Sequence, residues 1–177
     1  MMRVSTKHCR WEAEEIKRNL YLVLAALGLL CWAGVVLTSA QAGDHATNAF
    51  TPDSIVWGAP PPFVPPGAKL AVLEGNPLGS TGDYTVRLKM PDGYRFPPHW
   101  HPLRENVTVI SGTFKVGMGD TFDAKKMAAF PAGSFAYLDP DMHHYALACG
   151  EVIVQIHGAA PLAINYVNPD DDPSRNK

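Results

Sequence analysis

Gly93-Tyr94-Arg95-Phe96-Pro97-Pro98-His99-Trp100-His101-Pro102-Leu103-Arg104-Glu105-Asn106-Val107-Thr108-Val109-Ile110-Ser111-Gly112 is the stretch on which the reading of this chain turns. His99 and His101 stand two apart, so on an extended backbone both imidazoles leave the same face and can converge on one point. Glu105 has the same parity four residues on, near enough to add a hard oxygen donor where Pro102 bends the chain. A transition-metal ion takes such a mixed nitrogen and oxygen set. His-x-His alone is a weak pattern, but of the histidines after residue 42 all except His45 fall between residues 99 and 157.

Outward from this stretch the sequence breaks into short runs rich in Val, Ile, Tyr, Phe and Thr, separated by Gly, Pro, Asn and Asp, as an antiparallel all-β domain does. The runs are Leu70 to Leu73, Tyr84 to Lys89, Tyr94 to Phe96, Val107 to Ile110, Thr113 to Val116, Ser134 to Leu138, Tyr145 to Ala148 and Val152 to His157, with a ninth through Ala163 to Val167. In Tyr84 to Lys89 apolar and polar residues alternate, which buries one face and wets the other. Ser111-Gly112 is expected to make a tight hairpin turn, because glycine takes positive φ without steric cost. One or two helical turns are expected across Phe122 to Ala129, capped by Asp120 or Thr121.

The quoted stretch resembles the first signature of the cupin superfamily, G-x5-H-x-H-x3-E-x6-G, with Gly93, His99, His101, Glu105 and Gly112 at the required intervals. The second signature, G-x5-P-x-G-x2-H-x3-N, is partly present. Counted from Gly133 it sets the histidine on His144, with Asp139 at the proline, Asp141 at the glycine and Ala148 at the asparagine. Adjacent His143 competes for that role, and since strand neighbours point to opposite faces only one of the two can enter the barrel.

The resemblance covers residues 69–168 and implies a double-stranded β-helix, a jelly-roll barrel. It implies one divalent transition metal ion (Fe, Mn, Ni, Cu, Co or Zn) on His99, His101, Glu105 and His144, with positions left open for water, dioxygen or a chelating substrate. On the strand Val152 to His157, Gln155 and His157 share parity and are expected to face the lumen. Tyr137, Tyr145 and Trp100 are candidates for an aromatic pocket wall, with burial in the core the commoner fate of aromatics on strands, and Tyr137 is kept as the pocket candidate.

Before the barrel the composition changes twice. Arg3, Lys7, Arg10, Lys17 and Arg18 precede an uncharged apolar run from Leu20 to Leu37, and Ala40 and Ala42 fit a small-residue cleavage site, the layout of a secretory signal over residues 1–42. The alternative is a retained anchor, since such a run just reaches the lower limit for spanning a bilayer. Cleavage would place the protein in the periplasm or outside the cell, with 10 basic and 14 acidic residues and Cys149 as its only cysteine. No intramolecular disulfide is then available. Residues 43–68 are proline-rich, interrupted by Trp57, Phe63 and Val64, and read as an extended arm laid over the domain with its aromatics buried. Residues 169–177 read as a solvated acidic and polar tail.

The formal net charge of −2 gives no basic field for a polyanion, so nucleic acid is excluded as a partner. A small molecule is the expected ligand, membrane contact is expected only through a retained leader, and a homodimer is open through the family's habit and the arm. The first functional expectation is a metal-dependent small-molecule enzyme such as a dioxygenase. The second is a non-catalytic module binding a small molecule or sugar. A metal-free epimerase with a histidine base is weaker, because proton abstraction has no use for Glu105 at ligand spacing.

Overall fold

Alternation writes the sheet strand by strand. In β2 (Asp83–Met90) the side chains of Tyr84, Val86, Leu88 and Met90 are buried, while Thr85, Arg87 and Lys89 between them stay partly solvated. The computed structural model describes residues 48–175, so the expected leader, the first residues of the arm and the end of the tail lie outside the described residues. The other strands are β1 (Lys69–Glu74), β3 (Arg95–Trp100), β4 (Glu105–Met118), β5 (Ala128–Pro131), β6 (Phe135–Leu138), β7 (His144–Ala159) and β8 (Asn165–Tyr166). Every pairing among them is antiparallel.

Two long strands build both layers. The C-terminal half of β7 pairs with β2 and with the first half of β4, and β1 and β6 extend this layer at its edges. The N-terminal half of β7 pairs with β3 and with the second half of β4, and β8 and β5 complete the other layer. The inner faces share one core, to which Val86, Val109 and Val154 come from the first layer and Phe96, Phe114 and Ala146 from the second.

The corner between the layers corrects the expected hairpin at Ser111-Gly112. β4 runs straight through these residues, and its pairing with β7 slips from Ser111↔Ile153 to Thr113↔Cys149. Gly112, at φ 76°, and Gly150, at φ 74°, supply the left-handed backbone at which both strands bend together. Positive φ was legible at Gly112, but a bulge uses it as well as a turn does. The same corner makes Tyr145 to Ala148 and Val152 to His157 parts of one strand.

The expected helix is also corrected. A single 3-10 turn, Ala124–Lys126, is capped by the Asp123 carboxylate accepting from the Lys125 N–H at 2.9 Å. Ala128 and Ala129 continue instead as β5, because β4 offers them an open ladder edge.

From Gly58 onward the proline-rich segment is held to the barrel at several points. Gly58 exchanges both backbone hydrogen bonds with Leu70, the Lys89 ammonium sits 4.7 Å from the Trp57 ring centroid, and Val64 is buried. Tyr166 Oη donates to the Phe63 carbonyl at 2.7 Å, and Tyr94 Oη donates to the Pro65 carbonyl. In the tail, Pro169–Asp171 forms a 3-10 turn capped by Asn168.

A Cβ on Gly112 would stand 2.4 Å from the Glu151 carbonyl oxygen, whereas one on Gly133, at φ 88°, would meet nothing within 4 Å. Gly112→Ala is therefore expected to combine left-handed strain of about 1–2 kcal/mol with a backbone clash of about 1–3 kcal/mol. Gly133→Ala incurs only the strain. Urea unfolding of the two variants checks this, and equal losses would show that the corner tolerates a side chain.

Candidate metal centre

Pro97 and Pro98 have no N–H to give a ladder, and the β3–β7 register shifts between Phe96 and His99 at this point. Pairing resumes with His99 directly opposite His144, so the two meet as cross-strand neighbours. His101 follows just beyond β3, and Glu105 opens β4. All four side chains are buried. Ring centroids are 4.2 Å apart for His99 and His144, 5.1 Å for His99 and His101, and 5.2 Å for His101 and His144.

Each ring is oriented from behind by a backbone carbonyl. His99 Nδ1 lies 2.7 Å from the Pro97 oxygen, His101 Nδ1 2.7 Å from Ala163, and His144 Nδ1 2.8 Å from Met142. A carbonyl can only accept, so Nδ1 carries a hydrogen in all three rings and Nε2 is the nitrogen each offers as a ligand. His101 Nε2 is buried with no hydrogen-bond partner. It lies 3.5 Å from Glu105 Oε2, and His144 Nε2 lies 4.0 Å from the same oxygen.

Burial drives the His99 pKa well below its usual value, and the neighbouring His144 and His101 push it the same way. Burial also lowers His144, with the Glu105 carboxylate partly opposing it. Both rings are thus neutral at neutral pH, the form that binds a cation. The candidate ligand atoms of His99, His101 and His144 lie within 4.8 Å of one another. An orphaned buried nitrogen, aimed lone pairs and an adjacent carboxylate fit a metal ion, and the three histidines could hold one.

The centre forms one end of a cavity of about 280 Å³ between the layers, walled mainly by apolar residues such as Val86, Leu88, Phe96, Val109, Val154 and Ile156. Tyr137 borders this cavity while being 54% exposed, so it stands at the mouth. His143 points away from the other histidines, with Nδ1 2.5 Å from Asp120 Oδ1 and its ring stacked on Trp100.

The expected lumen parity of Gln155 and His157 is reversed. Val154 and Ile156 face the cavity, Gln155 accepts from Arg87 Nε at 3.1 Å, and His157 is exposed. The inward set is the β-branched series Val152, Val154 and Ile156, a periodicity the sequence carried and which outweighs two polar residues. Trp100 and Tyr145 also stay off the cavity wall. Tyr145 is fully buried against Gly117 and Phe122.

Sequence reasoning passed over Tyr84. Its ring lies with His101 and Glu105 along a second, very small cleft, and burial together with the Glu105 charge raises its pKa. The carbonyls of Pro97, Met142 and Ala163 carry no sequence signal, since every residue has one.

The sequence model of one family, the ChrR cupin-like domain, matches residues 48–162. No curated protein matches the chain significantly. Among solved structures, the polyketide cyclase RemF from Streptomyces resistomycificus is similar with TM-score 0.58 at 12% identity, over 72% of this chain and 89% of that one. A candidate acetylacetone dioxygenase from Methylibium petroleiphilum PM1 is similar with TM-score 0.52 at 20% identity, over 71% of this chain and 84% of that one. At these identities the likeness concerns the fold.

Metal binding by the buried rings predicts that His99→Ala and His144→Ala each weaken Zn(II) or Ni(II) affinity at least roughly tenfold, as losses around metal sites commonly do. His143→Ala should keep its metal. Elemental analysis and metal titration of the purified proteins check the set, and a His144→Ala protein with undiminished metal would remove His144 from it.

Proposed function

This chain belongs to the ChrR cupin-like domain family of the cupin superfamily, and from that premise we propose that it is an exported metal-dependent enzyme, a dioxygenase acting on a small molecule that chelates through oxygen. The observation that carries the proposal is the convergence of three buried, backbone-oriented imidazoles beside Glu105 at one end of an apolar cavity. His99, His101, His144 and Glu105 would hold the ion, one of Fe, Mn, Ni, Cu, Co or Zn. When bound, it would activate dioxygen or polarise the substrate oxygens.

The chain's own groups do the rest. The carbonyls of Pro97, Ala163 and Met142 keep the imidazole hydrogens on Nδ1, so no ring can turn its lone pair away without losing a hydrogen bond. The apolar walls from both layers keep bulk water from a bound ligand, and the cavity reaches the surface beside exposed Tyr137 and Phe135. The overall reaction places both atoms of one dioxygen in the product and needs no external reductant.

The dioxygenase reading predicts oxygen uptake by the Fe(II)-loaded protein with a neutral chelating compound, acetylacetone or catechol, followed with an oxygen electrode. His99→Ala should lower the rate at least about a hundredfold, the scale of losing a principal catalytic group. Saturable binding of these compounds without uptake would favour the binding module instead. Export predicts that the protein recovered from cell fractions lies outside the cytoplasm and begins near Gly43, which N-terminal sequencing reads. A chain found in the cytoplasm starting at Met1 would end that part of the proposal.

A further inference from the structure

The cavity wall also constrains the part of the ligand that does not reach the metal centre. Among the described residues it carries no lysine and no arginine, and its one carboxylate is that of Glu105 at the metal-facing end. Ser134 and Tyr137 are the remaining polar side chains, and Tyr137 is largely exposed at the mouth.

The arginine over Tyr137 at that mouth is already engaged. Arg104 holds Asp139 through Nη2 at 2.5 Å and Nε at 2.9 Å, and its guanidinium lies 4.7 Å from the Tyr137 ring centroid. Arg95, the other arginine near the metal-binding stretch, faces the Phe122 ring outside the cavity. An anionic group on the ligand body would thus be desolvated against valine, leucine and phenylalanine with nothing to compensate it, a cost of several kcal/mol for a bare ion.

Around the mouth, Met118, Phe135, Tyr137 and Met142 are large side chains left 39–55% exposed. They continue the apolar wall to the surface. A volume of about 280 Å³ lies just under the range of about 300–1,000 Å³ that drug-sized ligands occupy. There is room for a compact body and not for an extended chain or a sugar oligomer.

We propose that the substrate is a compact molecule with its oxygen donors at one end and an uncharged alkyl or aromatic body at the other, the body lying against Leu88, Val109 and Ile156. Organic acids with a free carboxylate on that body, phosphorylated metabolites and polyhydroxylated sugars are rejected by the wall. This rests on the metal-centre reading for the oxygen end alone, because the apolar end is recognised by the barrel itself.

The test is a calorimetric titration with 4-methyl-, 4-ethyl- and 4-propylcatechol beside 3,4-dihydroxybenzoate, which carries the same oxygens and an anionic body. It is run on the Zn(II)-loaded protein and repeated on the metal-free protein. Each added methylene should tighten binding about fourfold, the factor for burying one such group, and the carboxylate should bind at least about tenfold more weakly than 4-methylcatechol. Ala136→Phe, which fills the cavity from β6, should abolish the gain per methylene, and Ile156→Phe does the same from β7, two strands away in the same layer, should the first variant not fold.

A carboxylate that binds as tightly as the alkyl compounds, or a gain per methylene that survives both blocking variants, would overturn the inference. The two readings fail separately. If the protein takes up no zinc, the metal centre falls while the alkyl gain persists in the metal-free titration. If zinc binds and alkyl length has no effect, the metal centre stands and the substrate class falls.

Discussion

Three imidazoles buried together must each keep one nitrogen satisfied by the protein and leave the other without a partner, and the rest of this structure is arranged around that constraint. The satisfied nitrogens face the carbonyls of Pro97, Ala163 and Met142, which belong to three different segments. Among the described residues, His101 Nε2 is buried with no hydrogen-bond partner. An unpaired buried nitrogen costs about 1–3 kcal/mol. A fold that keeps this cost in its native state has kept a place for a group that removes it.

The bend of β4 and β7 is what makes the place possible. Both strands cross from one layer to the other, so Glu105 at the start of β4 and His144 at the start of β7 come from opposite ends of a paired ladder, in which Asn106 faces His157 and Met118 faces His144. Without the corner at Gly112 and Gly150, these ends would lie a full strand apart. With it, the layers fold over one another and the Glu105 carboxylate comes to 4.0 Å from His144 Nε2.

Much of this architecture was legible in the sequence, for physical reasons that differ between parts. The strands were readable because alternation reports burial directly, as in Tyr84 to Lys89. The spacing of His99, His101 and Glu105 was readable because side-chain direction on an extended backbone follows parity. The corner was not, since a glycine at positive φ serves a hairpin and a bulge equally and only the partner strand decides between them. Gln155 and His157 were misread because polar identity was weighed above the β-branched series between them. The turn at Ala124–Lys126 was overextended because Ala128 and Ala129 suit a helix locally, and the open edge of β4 prevailed over that propensity.

The second histidine-bearing segment shows how a motif can lose its letters and keep its geometry. Asp141 stands where the cupin pattern has glycine, and it adopts φ 62°, the left-handed region that aspartate tolerates better than most residues. Its N–H donates to the His101 carbonyl at 2.9 Å, tying the loop before His144 to the segment that carries the other two histidines. Asp139, at the proline position, gives Arg104 its partner. Ala148, at the asparagine position, is buried in the core, while its backbone exchanges hydrogen bonds with the carbonyl of Tyr94 and the N–H of Gly93 at the other end of the first motif. What the loop must supply is a left-handed residue, a hydrogen bond to His101 and the register that sets His144 opposite His99. Three different side chains meet those demands here because each demand falls on the backbone.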